Sequence, residues 1–329
     1  MSQYHEIWVE ERWTMQAFRL LAVFSLFISF FAPSSAVFAE QDRRMIPQLD
    51  EWQIAGDPDL GELTDPKQQP VDFAVWQAGD GTWQLWSCIR NTKCAGNTRL
   101  FYRWEGNRLT DKDWKPMGIA MQADTKYGET LGGLQAPHVV KHGDTYHMFY
   151  GDWESICLAA SPDGKNFTRV LDDNGVAGMF TEGPGNNTRD PMVIRIGDLW
   201  HCYYTAYPDR KGAVFCRTSP DLKNWSESKI VAFGGRAGTG PWSAECPHVI
   251  YLEGYYYLFR TQRYGPDAQT SVYRSEDPMN FGVENDKYFV CALPVAAPEI
   301  IFHEGEYFIA SLLPSLKGIR VARLHWVTE

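Results

Sequence analysis

The sequence contains no run of lysine or arginine residues. Its 31 basic residues are outnumbered by 41 acidic ones, which gives a formal net charge of −10. A protein that binds nucleic acid along its phosphates needs clustered positive charge, so this composition argues against an extended nucleic-acid surface. We therefore expect no nucleic-acid partner and interpret the acidic balance as a contribution to solubility.

Long apolar segments are also scarce. The one long run spans residues 18–31, opens with a basic residue at Arg19 and is broken by Pro33. It is short for a membrane span, and Val37-Phe38-Ala39 gives the small-residue pattern of a cleavage site. We predict a signal peptide over residues 1–39, with an uncleaved anchor as the alternative.

The first residues fit that signal peptide poorly. Residues 1–14 carry three glutamates where a positively charged region is typical, so Met15 is a more natural start. Export makes the expected location secreted or periplasmic, without membrane association after cleavage.

No cysteine pair has the CxxC spacing of a structural zinc site, although the chain has seven cysteines. An exported chain can form disulfides, and an odd count leaves at least one thiol unpaired or bonded to another chain. Cys88 and Cys94 bracket a short loop, and Cys202 and Cys216 lie symmetrically about a turn. Each pair could form a disulfide, although sequence does not fix the connectivity.

Helical periodicity is almost absent from Val71 onward. Short β-prone runs separated by Gly, Asp and Pro recur instead, which predicts an all-β fold. Before them, residues 40–69 are polar and rich in proline, and we interpret them as a segment that wraps onto the first repeat.

One hairpin pattern occurs five times along the chain. A polar or small residue, usually followed by proline, opens an apolar strand, a Gly-containing turn follows, and an aromatic-rich strand returns. The hairpins lie at residues 72–86, 136–150, 188–204, 245–259 and 297–309.

A second pattern follows the hairpins. Residues 161–167, 219–225 and 275–281 each run from a serine through a turn to an aromatic residue, and residues 111–114 hold the same place in the first repeat. Their Pro, Asp, Gly and Asn residues favour tight turns, and the closing aromatic is expected to pack between neighbouring sheets.

Two patterns per repeat fit a four-stranded antiparallel blade. Radial repetition of such sheets predicts a five-bladed β-propeller over residues 70–329, with residues 318–326 supplying the final strands. We expect one domain and a monomer.

The residues that open the inner strands should face the central channel of such a propeller. They include Asp72 in the first blade, Asp190 in the third and Glu245 in the fourth, which we place at equivalent positions. Carboxylates that converge in a cleft spread their pKa values apart, as separate acid and base roles require. Alternatively, each caps its strand through local hydrogen bonds.

The triplets Arg189-Asp190-Pro191 and Glu245-Cys246-Pro247, in consecutive blades, resemble the five-bladed propellers of glycoside hydrolase families 32 and 43. The resemblance covers about residues 70–325. Family 32 enzymes usually open with Asn-Asp-Pro-Asn-Gly, whereas this chain has Asp72 without that asparagine or proline. We expect no C-terminal β-sandwich of the family 32 type, so the expected overall shape resembles family 43.

The resemblance implies catalytic roles. Asp72 would be the base that activates water, or the nucleophile of a retaining enzyme. Glu245 would be the general acid, and Asp190 would orient the sugar and tune that acid. The two reacting carboxyl groups lie roughly 6.5–9.5 Å apart in inverting enzymes and about 5–5.5 Å apart in retaining ones. We expect inversion.

Other residues near the strand openings are candidates for substrate contact. The aromatic candidates could stack on a sugar or belong to blade packing, and the arginines could hold a sugar hydroxyl or a neighbouring carboxylate. The histidines could line the channel or help to hold a cation. We expect no required cofactor and consider a structural calcium ion in the central channel. The substrate-binding candidates are Arg189, Trp153, Trp242, His138, His248, Arg260 and Glu299.

These observations favour an exported glycoside hydrolase acting on arabinose-, xylose- or fructose-type oligo- or polysaccharides. The alternative is a non-catalytic carbohydrate-binding propeller, which the incomplete first motif around Asp72 supports. A third interpretation, a platform for protein interactions, leaves the three carboxylates unexplained.

Overall fold

Short strands joined by tight turns make up the whole described chain. The computed structural model describes residues 43–328, so the predicted signal peptide lies outside the described residues. Within this range the strands form five antiparallel sheets, which confirms the prediction of an all-β, five-bladed propeller. The described helices are 3-10 turns: Gly61–Leu63, Thr125–Tyr127, Pro208–Arg210, Gly235–Ala237 and Gly265–Asp267. None of these turns is long and apolar enough to cross a membrane.

The first two blades follow the repeat closely. Blade 1 contains β2 (Gln69–Gln77), β3 (Trp83–Arg90), β4 (Leu100–Gly106) and β5 (Lys115–Met121). Blade 2 contains β6 (Gln135–His142), β7 (Thr145–Gly151) and β8 (Ile156–Ser161), with β9 (Thr168–Arg169) and β10 (Gly178–Phe180). The two short strands both pair with β8, so this blade has five strands where the others have four.

The next two blades have four strands each. Blade 3 contains β11 (Arg189–Ile196), β12 (Leu199–Ala206), β13 (Ala213–Ser219) and β14 (Lys229–Phe233). Blade 4 contains β15 (Glu245–Leu252), β16 (Tyr255–Arg263), β17 (Gln269–Ser275) and β18 (Phe289–Leu293).

The fifth blade joins the two ends of the described chain. It contains β19 (Glu299–His303), β20 (Glu306–Leu312), β21 (Gly318–Thr328) and, as its outer strand, β1 (Arg43–Gly56). β1 pairs antiparallel with β21 from Arg43 opposite Thr328 to Gly56 opposite Gly318. Residues 40–69 were expected to wrap onto the first repeat, but part of this segment is a strand of the last blade. It also contacts blade 1, because the Trp114 N–H donates to the Ile54 carbonyl oxygen.

The closing aromatics pack between blades as predicted. Phe167 lies 5.4 Å from Trp86 of blade 1, measured between ring centroids. Trp225 contacts Phe149 of blade 2 at 5.9 Å, and Phe281 contacts Tyr203 of blade 3 at 6.2 Å. Through these edge-to-face contacts, blades 2, 3 and 4 each pack against the blade before it.

The turns before those aromatics are held by aspartates. Asp163 accepts from the backbone N–H of Lys165 and of Asn166, and Asp221 does the same for Lys223 and Asn224. These hydrogen bonds lower the pKa of the Asp163 carboxyl, as expected for an acceptor of backbone N–H groups. The structural interpretation of these turns is confirmed.

Neither suggested disulfide is present. Cys88, Cys94, Cys202 and Cys216 all lie in the described range and carry free thiols. Tyr203, not Cys202, is the partner of Cys216 in the β12–β13 ladder, so the two cysteines lie on opposite faces of the sheet. Cys88 lies close to the Leu134 carbonyl oxygen, and Cys94 to the Thr92 hydroxyl.

The closing strand should contribute measurably to stability. Ile54 of β1 is fully buried in the core. We expect Ile54→Ala to lower the free energy of unfolding by about 2–4 kcal/mol, through lost burial and the cavity left behind. Urea unfolding measures this, with exposed Gln53→Ala as the control. Equal stability of the two variants would contradict the closing role of β1.

Candidate active site

The inner strands share a backbone irregularity at their first residues. One residue in each blade has a positive φ: Asp72 (39°), Ala136 (39°), Asp190 (55°), Cys246 (46°) and Ala297 (48°). In blades 1 to 4 this residue lies in a register shift of the ladder, as in a β-bulge. All five residues line one pocket, together with Glu299 and several of the residues that follow them.

The bulge corrects one sequence prediction. Asp72 and Asp190 occupy equivalent positions, but the equivalent residue in blade 4 is Cys246, not Glu245. Glu245 precedes the bulge and is equivalent to Arg189 in blade 3. The sequence prediction matched the acidic residues of the blades with one another. The prolines that follow Asp190 and Cys246 mark the equivalent positions of blades 3 and 4 instead.

The bulge side chains meet around Asp72. The Cys246 thiol lies 3.2 Å from Asp72 Oδ1 and 3.8 Å from Asp190 Oδ2. The Tyr264 hydroxyl donates to Asp72 Oδ1 at 3.2 Å and lies 3.3 Å from Cys246 Sγ. Asp190 Oδ2 also accepts from the Cys246 backbone N–H at 3.0 Å, so the three blades are joined at this point.

Glu245 is held by a buried arginine. Arg189, with 2% of its side chain exposed, donates to Glu245 Oε1 from Nη2 at 2.9 Å and from Nε at 3.3 Å. Its remaining donors reach the carbonyl oxygens of Asn187 and Pro241. Arg189 therefore holds a neighbouring carboxylate, which is one of the two roles that the sequence suggested for it, and it positions Glu245.

Burial and mutual repulsion shape the protonation of these groups. Desolvation, with the negative charges of Asp72 and Glu245, raises the pKa of Asp190 to about 7, although Arg189 opposes the shift. Burial also raises the pKa of Glu245, against the lowering effect of the Arg189 guanidinium. Protonated and ionised carboxyl groups can therefore coexist here near neutral pH, the condition for acid and base roles in one site.

Trp242 is the exposed aromatic of the site. Its side chain is 53% exposed, and its ring packs edge-to-face on Tyr207 at 5.4 Å. The Arg189 guanidinium lies 5.3 Å from the centroids of both rings. An indole fixed in this way offers a free face to a ligand.

Trp153 is paired with an arginine that sequence analysis missed. The Arg99 guanidinium lies 5.1 Å above the Trp153 ring. Burial acts to lower the pKa of Arg99, but Cys88 and the negative charges of Asp72 and Glu245 outweigh it, so this pKa is raised. Arg99 precedes β4 rather than an inner strand, so the hairpin pattern gave no signal for it; the same holds for Tyr264, which follows β16.

The two channel histidines form hydrogen bonds with the backbone of neighbouring blades. His138 Nε2 bonds to the Val193 carbonyl oxygen at 3.1 Å, and His248 Nε2 accepts from the Ile300 N–H at 3.3 Å. His248 Nδ1 therefore carries its proton and faces Glu299 at 3.5 Å. Of these three residues only Glu299 offers side-chain oxygens, whereas Ca²⁺ takes six to eight oxygen ligands. A structural calcium ion in the channel therefore stays a prediction.

Arg260 does not contact the pocket. It is almost fully buried, and its three nitrogens donate to the carbonyl oxygens of Ser243, Gly234 and Gly238. It therefore fixes the loop that carries Trp242, which corrects the expectation of a substrate contact.

Asp72, Asp190 and Glu245 are close enough to influence one another's charge, and paired carboxyl groups are what cleavage of a glycosidic bond uses. The family described as glycosyl hydrolases family 32 N-terminal domain matches residues 102–301. The chain belongs to this family, and the resemblance found in the sequence is confirmed. The match includes Asp190 and Glu245 but begins after Asp72.

Solved structures show the same fold. A family 32 beta-fructofuranosidase from Bombyx mori is 20% identical with a TM-score of 0.59, over 82% of this chain and 62% of that one. A thermostable family 43 glycoside hydrolase is 18% identical with a TM-score of 0.58, over 81% and 92%. A family 43 enzyme from Xanthomonas citri, complexed with xylose, is 13% identical with a TM-score of 0.58, over 84% and 93%.

These identities support the fold alone. The chain spans less than two thirds of the length of the Bombyx mori enzyme. No curated protein matches the sequence.

The raised pKa of Asp190 predicts that this residue makes the folded protein less stable as the pH rises. Between the ordinary value of 3.8 and about 7, the folded protein holds a proton that the unfolded chain has lost, so stability falls as pH rises through this window. Asparagine tolerates the positive φ and removes the charge. Asp190→Asn should therefore raise the melting temperature more at pH 8 than at pH 4.

Thermal unfolding at the two pH values measures this difference. The matched control is Glu304→Gln, because the Glu304 side chain is 85% exposed. An equal effect of Asp190→Asn at both pH values would contradict the raised pKa.

Proposed function

We propose that the protein is an exported glycosidase in which Glu245 is the general acid and Asp72 attacks the anomeric carbon. The observation that carries this is the convergence of Asp72, Asp190 and the Arg189-bound Glu245 on one site. Two carboxyl groups, one protonated and one ionised, are what cleavage of a glycosidic bond requires.

Each group has a stated task in this mechanism. Glu245 gives its proton to the leaving oxygen, and the Arg189 guanidinium stabilises the carboxylate that forms. Asp190 accepts hydrogen bonds from sugar hydroxyls, since its Oδ1 has no protein partner. Trp242, Trp153 and Glu299 are proposed substrate contacts, with Trp242 stacking on a sugar face.

The family supports a proposal for the stereochemical outcome. Inversion was expected from the sequence, but family 32 enzymes retain configuration whereas family 43 enzymes invert it. Membership in family 32 leads us to propose retention, with Asp72 as the nucleophile of a glycosyl-enzyme intermediate. The proposed substrates are arabinose-, xylose- or fructose-type glycans, since the structural neighbours include a beta-fructofuranosidase and an enzyme complexed with xylose.

A non-catalytic carbohydrate-binding propeller is the second candidate. Phe73 follows Asp72 where proline follows Asp190 and Cys246, and the family match does not include Asp72. We further propose a monomer that acts outside the cytoplasm, without a nucleic-acid partner.

The general-acid role predicts a dependence on the leaving group. Glu245→Gln should lower hydrolysis of an alkyl glycoside or a disaccharide by about 10²-fold or more, because no proton reaches the leaving oxygen. A nitrophenyl glycoside of the same sugar needs little protonation and should be far less affected. Steady-state rates on a panel of arabinosides, xylosides and fructosides measure this, with Glu304→Gln as the control.

Equal losses on both leaving groups would contradict a general acid at Glu245. If no substrate is cleaved but glycans bind to the protein and to Glu245→Gln alike, the non-catalytic candidate replaces the proposal.

Retention predicts a trapped product. A glycosyl-enzyme intermediate can be intercepted by methanol, which yields a methyl glycoside with the anomeric configuration of the substrate. Proton NMR of reactions in dilute methanol detects it. A free sugar of inverted configuration as the first product, with no methyl glycoside, would show instead that Asp72 activates water.

A further inference from the structure

Asp72, Asp190 and Cys246 form a compact set of possible metal ligands. One ligand atom from each residue lies within 4.8 Å of the other two. The three residues come from blades 1, 3 and 4, and each occupies the strained bulge position of its inner strand. The backbone therefore fixes where the three donors point, and little rearrangement is needed to bring them together.

The donor spacing fits a small tetrahedral ion. Zinc binds thiolate sulfur at about 2.3 Å and carboxylate oxygen at about 2.0–2.2 Å, so a tetrahedral angle separates sulfur and oxygen donors by about 3.6 Å. The Cys246 sulfur lies 3.2 Å from Asp72 Oδ1 and 3.8 Å from Asp190 Oδ2. The sulfur–oxygen separation expected for tetrahedral zinc falls between these two distances.

A buried acceptor without a partner points independently to a ligand. Asp190 is 3% exposed, and its Oδ1 forms no hydrogen bond with the protein. Buried carboxylate oxygens are ordinarily satisfied, so the Asp190 carboxyl group, which lines the pocket, keeps an unused capacity to bind a ligand. A sugar hydroxyl and a metal ion can both fill that place.

We infer that this cluster is an inhibitory binding site for a thiophilic divalent ion of the zinc class. Asp72, Asp190 and Cys246 supply three ligands, and a water molecule completes the tetrahedron. When the bond from Cys246 Sγ to the metal forms, the thiol proton leaves to solvent. The sulfur ligand selects Zn²⁺, Co²⁺ or Cd²⁺ over Mg²⁺ and Ca²⁺, which prefer oxygen.

The ion and the sugar exclude one another in this arrangement. A metal bound to Asp72 occupies the carboxylate that the proposed mechanism uses for attack, and the same ion lies against the Asp190 carboxyl group on which a sugar hydroxyl is proposed to bind. Binding of the ion rests on the ligand geometry alone, whereas competition with substrate also rests on the proposed function. The two can therefore fail separately.

Cobalt gives a readout that needs no activity. A Co²⁺–thiolate bond absorbs in the near ultraviolet, so titration of the reduced, untagged protein with Co²⁺ should produce this band at one ion per chain. Zn²⁺ should then displace the cobalt and abolish the band. Mg²⁺ should leave it unchanged.

Variants assign the band to the cluster. Loss of outer partners alone weakens metal sites by about 10–100-fold, so loss of a ligand in Cys246→Ser should abolish the band and weaken Zn²⁺ binding by about 100-fold or more. Asp190→Asn should weaken it similarly. The matched control is Cys94→Ser, since Cys94 is a partly exposed thiol outside the cluster and should keep the band.

A band that persists in Cys246→Ser, or no cobalt binding at millimolar concentration, would overturn the inference. If Cys246→Ser folds poorly, calorimetry of Zn²⁺ binding to Asp190→Asn tests a second ligand, and undiminished affinity there would overturn the inference as well. Where substrate is cleaved, Zn²⁺ should raise KM without lowering kcat. Cobalt binding without such competition would keep the metal site and count against the proposed catalytic use of Asp72.

Discussion

The site depends on one backbone constraint, the left-handed residue at the opening of each inner strand. A positive φ at a non-glycine residue costs of order 1–3 kcal/mol and persists only where surrounding structure enforces it. In blades 1 to 4 a register shift in the antiparallel ladder accompanies it, and the residues at this position in all five blades line one pocket. The residue at this position is alanine in blades 2 and 5, which leaves space in the pocket. In blades 1, 3 and 4 it is an aspartate or a cysteine, which supplies a functional group.

Charge balance is the second constraint. Three acidic side chains and a thiol crowd around the axis, and their repulsion is offset chiefly by the buried guanidinium of Arg189. Arg189 is held by carbonyl oxygens on one side and by the rings of Tyr207 and Trp242 on the other. Positioning of Glu245 and presentation of Trp242 are therefore linked through a single side chain.

Local pattern was enough to predict the fold and much of the site. Recurrent hairpins predicted five blades, and placing Asp72 and Asp190 at strand openings predicted their convergence. The offset of Glu245 was missed because the pattern of apolar residues does not show where a bulge inserts an extra residue, and only Pro191 and Pro247 mark it. Arg99 and Tyr264 reach the site from outside the openings. The pairing of β1 with β21 is non-local, so no short segment reveals it.

The proposed mechanism requires Asp72 and Glu245 to act on opposite sides of one glycosidic bond. A crystal structure of Glu245→Gln with an uncleaved substrate tests this most directly. We expect the anomeric carbon next to an Asp72 oxygen, the glycosidic oxygen within hydrogen-bond distance of residue 245, and a sugar hydroxyl on Asp190 Oδ1. A sugar bound away from Asp72, for example on Trp242 alone, would contradict the mechanism.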